Sequence, residues 1–186
     1  MRKIVAGLFV SLDGVVEAPQ NWHFPYYNDE MFDVVESQLA AADTMLLGRR
    51  TYEEFAAYWP NQESGVPLAD EINGMEKLVV STTLRSLDWQ NSTLISGDVV
   101  EELRRQKQRP GKEISVTGSP TLVRFLIAEG LLDELQLLVH PIIVGGGKRL
   151  FADGERVPLR LTESRTLKTG VLYLTYVPDT SEVAER

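Results

Sequence analysis

The stretch TMLLGRRTYEEFAAYW, residues 44–59, decides the fold of this chain. Residues 44–47 are apolar and predict a buried strand, whereas residues 51–58 predict a helix that Pro60 ends. Only Gly48, Arg49 and Arg50 separate the two elements. Because a strand followed at once by a helix is the unit of a sheet with helical crossovers, this stretch indicates an α/β fold.

The same alternation continues along the chain. Further strands are predicted at residues 4–10, 77–80, 94–96, 114–117 and 135–140, and further helices at residues 29–41, 67–74, 99–107 and 120–129. Residues 159–166 and 170–177 predict two strands with no helix between them, as in an antiparallel pair. The sequence therefore predicts a mainly parallel sheet in a three-layer α-β-α arrangement that ends in an antiparallel C-terminal hairpin.

Composition limits the classes of function. The 186 residues include 27 acidic and 19 basic ones, a net charge of −8, which does not favour a nucleic-acid-binding protein. There is no cysteine and there are only two histidines, so thiol chemistry, disulfides and a metal site are not expected. No apolar run approaches the roughly 20 residues of a membrane span, and the cytoplasm is the expected location. We expect a single domain at residues 1–178 and a polar tail at residues 179–186.

The turn at residues 48–51 is a candidate phosphate site. A helix that begins near Thr51 leaves backbone N–H groups without partners, and their partial positive charge favours an anion. Gly48 allows a ligand to approach the backbone, and the guanidinium groups of Arg49 and Arg50 can each bind two phosphate oxygens. The alternative is that Thr51 caps the helix and the arginines pair with the surface acids of residues 53–54.

Two further strand ends carry residues of the same kind. Ser81 and Thr82 follow one strand, and their hydroxyls suit phosphate or ribose oxygens, or a turn that satisfies its own backbone. The strand at residues 114–117 is again followed by a turn and a helix, where the candidate residues are Gly118, Ser119, Pro120, Thr121 and Leu122. Three such strand ends in one domain indicate a long ligand that carries a polyphosphate.

The run GGGK at residues 145–148 is not a phosphate loop of the Walker type. That loop requires a glycine where Ile142 stands and a serine or threonine where Arg149 stands. Two interpretations stay open for this run. It is either a mobile turn or a loop whose glycines let a substrate approach the backbone.

The order of these motifs resembles the dihydrofolate reductase superfamily. The matching motifs are residues 4–14, 22–25, 46–53, 79–81, 116–119 and 137–151. The similarity is closer to the branch that contains the reductase domain of bacterial riboflavin biosynthesis, the RibD C-terminal branch. SLDG at residues 11–14 and PIIVGGG at residues 141–147, followed by Leu150 and Phe151, are typical of that branch. The resemblance covers nearly the whole chain.

This resemblance implies a central sheet of about eight strands and NADPH as the hydride donor. At matching positions it implies that Arg49 binds the adenosine 2′-phosphate, and that Arg50 and Thr51 lie at the pyrophosphate. It implies that Ser81 and Thr82 lie along the adenosine end. The residues at 118–122 are implied to hold the pyrophosphate from the second helix.

The resemblance also implies that the loop at residues 13–24 borders the nicotinamide and the substrate. Within that loop, Trp22, His23 and Phe24 are expected to form an aromatic wall. The candidate substrate-binding residues are Asp13, Gly14, Trp22, Phe24, Gly146 and Gly147. The proton that accompanies the hydride is expected to come from Asp13, from Glu36 or from water.

One departure from the superfamily concerns the helix at residues 29–41. Dihydrofolate reductases carry a carboxylate on this helix that holds the pterin, and the candidates here are Asp29, Asp33 and Glu36. The apolar stripe of this helix, which includes Phe32 and Val35 and continues to residue 39, is expected to face the core. Asp33 then falls nearly opposite and Glu36 falls at the edge, so neither clearly takes the pterin-binding role.

The sequence therefore predicts an NADPH-dependent reductase of a small heterocyclic substrate. The best-defined candidate is the ribosylamino-pyrimidine reductase step of riboflavin synthesis. The alternatives are a nucleotide-binding module without catalysis and a true dihydrofolate reductase. The apolar residues 135–144 are expected to pair or pack across a two-fold axis in a homodimer.

Overall fold

The computed structural model of the chain describes residues 1–63, 65–151, 154 and 156–179. The described strands are β1 (Ile4–Ser11), β2 (Ala42–Gly48), β3 (Glu76–Val80), β4 (Ser92–Ile95), β5 (Glu113–Thr117), β6 (Glu134–His140), β7 (Leu159–Thr166) and β8 (Leu172–Pro178). The described α-helices are α1 (Asp29–Ala41), α2 (Arg49–Tyr58), α3 (Ala69–Gly74), α4 (Val99–Gln108) and α5 (Pro120–Ala128). The predicted polar tail lies outside the described residues from residue 180 onward.

The strands form one eight-stranded sheet in the order β4-β3-β2-β5-β1-β6-β8-β7. Neighbouring strands from β4 to β6 are parallel, whereas β8 runs antiparallel to both β6 and β7. The mainly parallel sheet with an antiparallel C-terminal hairpin is therefore confirmed. None of the helices in the described ranges has the length and apolar character needed to traverse a lipid bilayer.

Alternation along the central strands creates two apolar faces. On one face, Ile4, Ala6 and Leu8 of β1 pack in a cluster with Leu103 of α4 and Leu126 of α5. The other face is covered by α1, α2 and α3, whose buried residues pack against β2, β3, β6 and β8. Helices therefore cover both faces of the sheet, as the three-layer prediction requires.

The buried stripe of α1 differs from the expected one. Met31 and Val34 are the buried residues of this helix, while Phe32 and Val35 are only half-buried. The buried face continues to Gln38, whose side-chain Nε2 donates to Gln136 Oε1 at 2.8 Å. A helix face that contains a glutamine is less apolar than a face with apolar residues alone. The hydrophobic pattern therefore predicts the neighbouring face, one position away, as the buried one.

The expected dimer contact at residues 135–144 is not supported by the topology. Strand β6 lies inside the sheet, where it pairs with β1 on one side and β8 on the other. Its apolar residues Leu135, Leu137 and Leu138 are buried within the chain. Because both edges of β6 are paired, this strand has no free edge with which to join the sheet of a second copy. The segment continues beyond β6 to Ile143, which is 73% exposed, and the homodimer stays a prediction.

A buried arginine ties the beginnings of β2 and β5 together. The side chain of Arg2 is 3% exposed and pairs with Asp43. It also donates to Thr44 Oγ1 at 2.8 Å and to the carbonyl of Lys112 at 2.6 Å. Gly111 lies against this group with a positive φ of 149°, and a Cβ built on it stands 2.7 Å from Asp43 Oδ2.

We expect Gly111→Ala to lower the free energy of unfolding by about 1–3 kcal/mol, because the new methyl group displaces a carboxylate that is held from several sides. Urea denaturation followed by circular dichroism measures this loss. The matched control is Gly97→Ala, since a Cβ on Gly97 meets no atom within 4 Å. Equal stability of the two variants would contradict the prediction.

Candidate active site

Two strand-to-helix turns meet at the carboxyl edge of the sheet. β2 and β5 are adjacent and parallel, so the turns that follow them lie side by side. Ser119 Oγ accepts from the backbone N–H of Gly48 at 2.9 Å and donates to Thr51 Oγ1 at 3.0 Å. The backbone N–H of Ser119 also donates to Thr51 Oγ1, again at 3.0 Å. These bonds hold the starts of α2 and α5 in one fixed arrangement.

This arrangement is tight enough to restrict the backbone. Ser119 adopts the left-handed conformation with φ 51°, which a side-chain-bearing residue occupies at a cost of roughly 1–2 kcal/mol. Gly118 has φ 57°, and a Cβ built on it stands 3.0 Å from Thr51 Oγ1. A glycine at this position therefore allows the two turns to come together.

The first turns of both helices are open to an anion. Gly48 is the N-cap residue of α2 and has no side chain that can accept a hydrogen bond. Ser119 is the N-cap residue of α5, and its side chain accepts no hydrogen bond from that helix. No cap side chain therefore bonds the first-turn N–H groups of either helix, and in α5 the first of these positions is Pro120, which has no N–H. Uncapped helix N-termini carry a partial positive charge that favours an anion.

The two arginines of the first turn have different surroundings. Arg49 donates to both carboxylate oxygens of Glu53, at 3.0 and 3.2 Å. Both side chains are largely exposed, at 43% and 46%, and such helix-surface pairs contribute only about 0.3–0.5 kcal/mol. The side chain of Arg50 is exposed and makes no hydrogen bond or ion pair within the described part of the chain. Both guanidinium groups can therefore be recruited by a stronger anion.

The hydroxyls at the end of β3 differ from each other. Ser81 is buried, and its Oγ accepts from the backbone N–H groups of Thr83 at 3.2 Å and Leu84 at 3.0 Å. This is the turn that satisfies its own backbone, which the sequence left as an alternative. The side chain of Thr82 is exposed at the same edge. Thr82 is therefore the hydroxyl of this pair that can reach a ligand without breaking an existing bond.

A cavity of 580 Å³ lies between α1 and α2 over the middle of the sheet. Its polar lining includes Gln38, Ser115, Thr117 and Gln136, and its apolar lining includes Phe55 and Trp59. None of the predicted substrate-binding residues is among the residues that line this cavity. From the aromatic loop, the residues that do line it are His23 and Tyr27.

The aromatic loop places its side chains in three different environments. Trp22 is buried, with its Nε1 donating to the carbonyl of Glu17 at 3.1 Å, whereas Phe24 is 61% exposed. The His23 ring stacks on Phe9 with 4.7 Å between centroids, and the His140 ring lies 6.1 Å away. Burial, with a smaller contribution from His140, lowers the pKa of His23 to about 4. The cavity therefore meets a neutral imidazole at pH 7.

Asp13 holds two loops together. Its carboxylate accepts from Ser11 Oγ at 2.6 Å and from the backbone N–H groups of Val144 at 3.0 Å and Gly145 at 2.9 Å. These bonds, led by the one from Ser11, lower the pKa of Asp13 to about 2. A carboxylate that remains ionised and fully bonded is a poor proton donor. Glu36, the other candidate, is exposed and does not line the cavity.

The glycine run at residues 145–147 is fastened to the loop after β1. Val15 forms an antiparallel bridge with Arg149, and the backbone N–H of Leu150 donates to the carbonyl of Gly14 at 2.9 Å. A Cβ on Gly147 would stand 3.1 Å from Val15 Cγ1. Gly147 thus permits close packing of the two loops, which disfavours the alternative of a mobile turn. Gly14 and Gly146 belong to this double loop and not to the cavity.

We expect the stability difference between wild type and Asp13→Asn to depend on pH. The lowered pKa means that Asp13 stabilises the native state fully above its ordinary value of 3.8, and that this contribution is lost as the pH falls through about 2. An asparagine cannot accept at both side-chain positions, so the variant lacks this contribution at all pH values. Urea unfolding across the acid range should therefore give two curves that converge as the pH falls.

Glu36→Gln is the matched control, because Glu36 is an exposed carboxylate outside these loops. It should follow the wild-type curve throughout. A constant gap between wild type and Asp13→Asn down to the lowest pH would show that Asp13 does not act through its charge.

Several residues of the cavity escaped the sequence analysis. Glu113, Ser115 and Thr117 alternate along β5, and all three line the cavity. Burial raises the pKa of Glu113, with a further contribution from Glu134. A strand in the middle of a covered parallel sheet normally reads as continuously apolar. The polar alternation in β5 was therefore a visible sign of an internal cavity. Among the described residues, no cluster of His, Cys, Asp and Glu could hold a metal ion.

Comparison with known proteins identifies the fold and the family. The uncharacterized protein YyaP of Bacillus subtilis strain 168 is 31% identical over 179 residues, which cover 94% of each chain. A candidate riboflavin biosynthesis protein from Shewanella sp. PV-4 has a TM-score of 0.77 at 19% identity, covering 95% of this chain and 99% of that one. Dihydrofolate reductase of Enterococcus faecalis, complexed with NADP(H), has a TM-score of 0.63 at 15% identity and covers 95% and 96%.

The architecture is therefore that of the dihydrofolate reductase-like α/β proteins, with strand order and hairpin as described above. The family model described as the RibD C-terminal domain matches residues 2–173. This chain belongs to the RibD C-terminal domain family.

Proposed function

We propose that this protein is an NADPH-dependent reductase of a small heterocyclic substrate. The observation that carries the proposal is the pair of open helix N-termini, joined through Thr51 and Ser119, at the edge of a sheet that also carries a substrate-sized cavity. Membership of the RibD C-terminal domain family supports the same conclusion. The best candidate for the substrate is 5-amino-6-(5-phosphoribosylamino)uracil, and the cytoplasm is the expected compartment.

The residues at this edge fit a dinucleotide phosphate. The protein carries a net charge of −8, so phosphate binding requires local positive charge. Arg49 and Arg50 supply it, and no cap side chain bonds the first-turn N–H groups of α2 or α5. In this proposal Arg49 binds the 2′-phosphate, Arg50 and Thr51 lie at the pyrophosphate, and Thr82 lies along the adenosine. The residues at 119–122 approach the pyrophosphate from α5.

The nicotinamide, when bound, supplies the hydride. The chain's own residues bind and orient the two reactants and keep water out. Phe9 and the neutral His23 ring form a flat wall where the cavity meets the aromatic loop.

Two other functions are less well supported. A binding module without catalysis does not require a cavity of 580 Å³ beside the cofactor edge. A true dihydrofolate reductase requires a carboxylate on α1 that faces the substrate, but Asp29, Asp33 and Glu36 do not line the cavity.

The test is a titration of the protein with NADPH, followed by an assay of NADPH oxidation with a panel of ribosylaminopyrimidines and dihydrofolate. The proposal expects tight NADPH binding and turnover of a pyrimidine. Binding without turnover of any substrate supports the module, and turnover of dihydrofolate alone supports a dihydrofolate reductase. Failure to bind NADPH contradicts the proposal altogether.

A further inference from the structure

Two glutamine side chains meet inside the cavity. Gln38 from α1 and Gln136 from β6 both line it, and Gln38 Nε2 donates to Gln136 Oε1 at 2.8 Å. They meet above Gly7, where a Cβ would stand 3.3 Å from Gln38 Oε1 and 3.4 Å from Nε2. The amide of Gln38 therefore lies against the backbone of β1 at Gly7.

The hydrogen-bond inventory of this pair is incomplete. An amide oxygen can accept two hydrogen bonds and an amide NH₂ group can donate two, and the bond between the two side chains uses one N–H of Gln38 and one acceptor position of Gln136. Within the described residues, Gln38 Oε1 and the Gln136 amide nitrogen have no protein partner. Exchanging oxygen and nitrogen in both amides leaves the same set. In either case the pair offers the cavity an oxygen and an NH₂ group that have no partner among the described residues, and no charge.

We propose that the Gln38–Gln136 pair determines substrate specificity by selecting a neutral planar heterocycle whose edge carries a hydrogen-bond donor beside an acceptor, such as the N–H and C=O of a lactam. The proposal rests on the proposed function, because it assigns the cavity to the substrate. An amidinium edge presents two donors, and a carboxylate edge presents two acceptors. Each leaves one group of the pair unmatched inside the cavity, which costs about tenfold or more in affinity.

The distance between the glutamine pair and the Phe9–His23 stack matches the length of a flat ring system. Gly7 precedes Phe9 by two residues on β1, and a strand rises about 3.3 Å per residue. The pair thus lies roughly 7 Å further along the strand from the Phe9–His23 stack. A flat ring system anchored on the two amides reaches that stack, where its far end meets aromatic rings. The amides fix the orientation of the ring and so choose which carbon is presented at the other end.

The experiment compares two fluorescent pteridines that differ at this edge. Lumazine is a neutral pteridine-2,4-dione with a lactam edge, and 2,4-diaminopteridine becomes an amidinium when protonated. Wild type should bind lumazine more tightly at a pH low enough to protonate the diaminopteridine, because only the protonated ring presents donors alone, whereas the neutral ring still has an amino group beside a ring nitrogen. Gln38→Glu replaces the NH₂ group of Gln38 with an acceptor oxygen and adds a negative charge, so lumazine should bind at least about tenfold more weakly and 2,4-diaminopteridine more tightly. The bound diaminopteridine should then show the absorption spectrum of its protonated form.

The control is Ala40→Glu, which adds the same charge to the exposed side of the same helix and should bind both pteridines as wild type does. Gln136→Glu places the carboxylate on β6 and should reverse the preference in the same direction, in case Gln38→Glu fails to fold. An unchanged affinity ratio in folded glutamate variants, or no binding of either pteridine by NADPH-saturated wild type, overturns the inference. Loss of NADPH binding itself would instead count against the proposed function.

Discussion

Arg49→Ala should bind NADPH about 10- to 100-fold more weakly than wild type and NADH with nearly unchanged affinity. A hydrogen bond to a charged group contributes roughly 1.5–3 kcal/mol, and each ~1.4 kcal/mol is a factor of ten in affinity. NADH has no 2′-phosphate, so it loses nothing when Arg49 is removed. Fluorescence or calorimetric titration of both cofactors measures the difference, and added salt should weaken NADPH binding more than NADH binding.

The ion pair with Glu53 gives this prediction a matched control. Glu53→Gln removes the competing carboxylate and leaves the guanidinium in place, so NADPH should bind as tightly as in wild type or more tightly. Equal losses of NADPH and NADH in Arg49→Ala would move Arg49 to the pyrophosphate. No loss of either would leave Arg49 as a surface residue paired with Glu53 and would remove it from the site.

Gly118→Val should weaken NADPH and NADH by the same factor, about tenfold or more. The new side chain meets Thr51, whose Oγ1 is 3.0 Å from the position of a Cβ, and a β-branched residue at φ 57° adds roughly 1–2 kcal/mol of strain. The turn relieves both by moving away from α2, so the N–H groups of the two helices no longer converge. Because the pyrophosphate is common to both cofactors, their affinity ratio should stay constant.

Gly74→Ala is the control for this substitution, since a Cβ on Gly74 meets no atom within 4 Å and the residue lies away from the turns. It should bind both cofactors as wild type does. Thermal melting separates a local change in the turn from a general loss of fold. A Gly118→Val protein that is folded and binds NADPH normally would contradict the assignment of this edge.

The sequence was sufficient for most of the architecture. Alternating apolar runs and helix signals predict the strands and helices, and the missing helix between β7 and β8 predicts the hairpin. Pairing is harder, because a sequence pattern shows that a strand is buried and not which strands flank it. For this reason the apolar pattern of β6 predicts an edge available to a second copy, although its two edges are filled by β1 and β8.

The candidate site was only partly accessible from the sequence. Turn chemistry at residues 48–51 and 118–122 is local, so it can be read from short motifs. The cavity is not local, because it forms where α1 crosses the sheet, and its lining comes from many separate elements. The apolar pattern of α1 predicts a buried face that does not include Gln38, so the sequence does not indicate its contact with Gln136. The three hydrogen-bond donors to Asp13 come from the folded loops, so the sequence does not show that this carboxylate is already bonded.

The position of β1 has a consequence for biosynthesis. This apolar strand is made before β5 and β6, yet it lies between them, with Ile4 opposite Ile114 and Val5 opposite Glu134. On the ribosome, one edge of β1 stays unpaired until β5 has left the exit tunnel and the other until β6 has left it, and unpaired apolar strands associate with neighbouring nascent chains. Rapid overexpression should therefore yield inclusion bodies, whereas slower translation or a chaperone that holds residues 4–11 should raise the native yield.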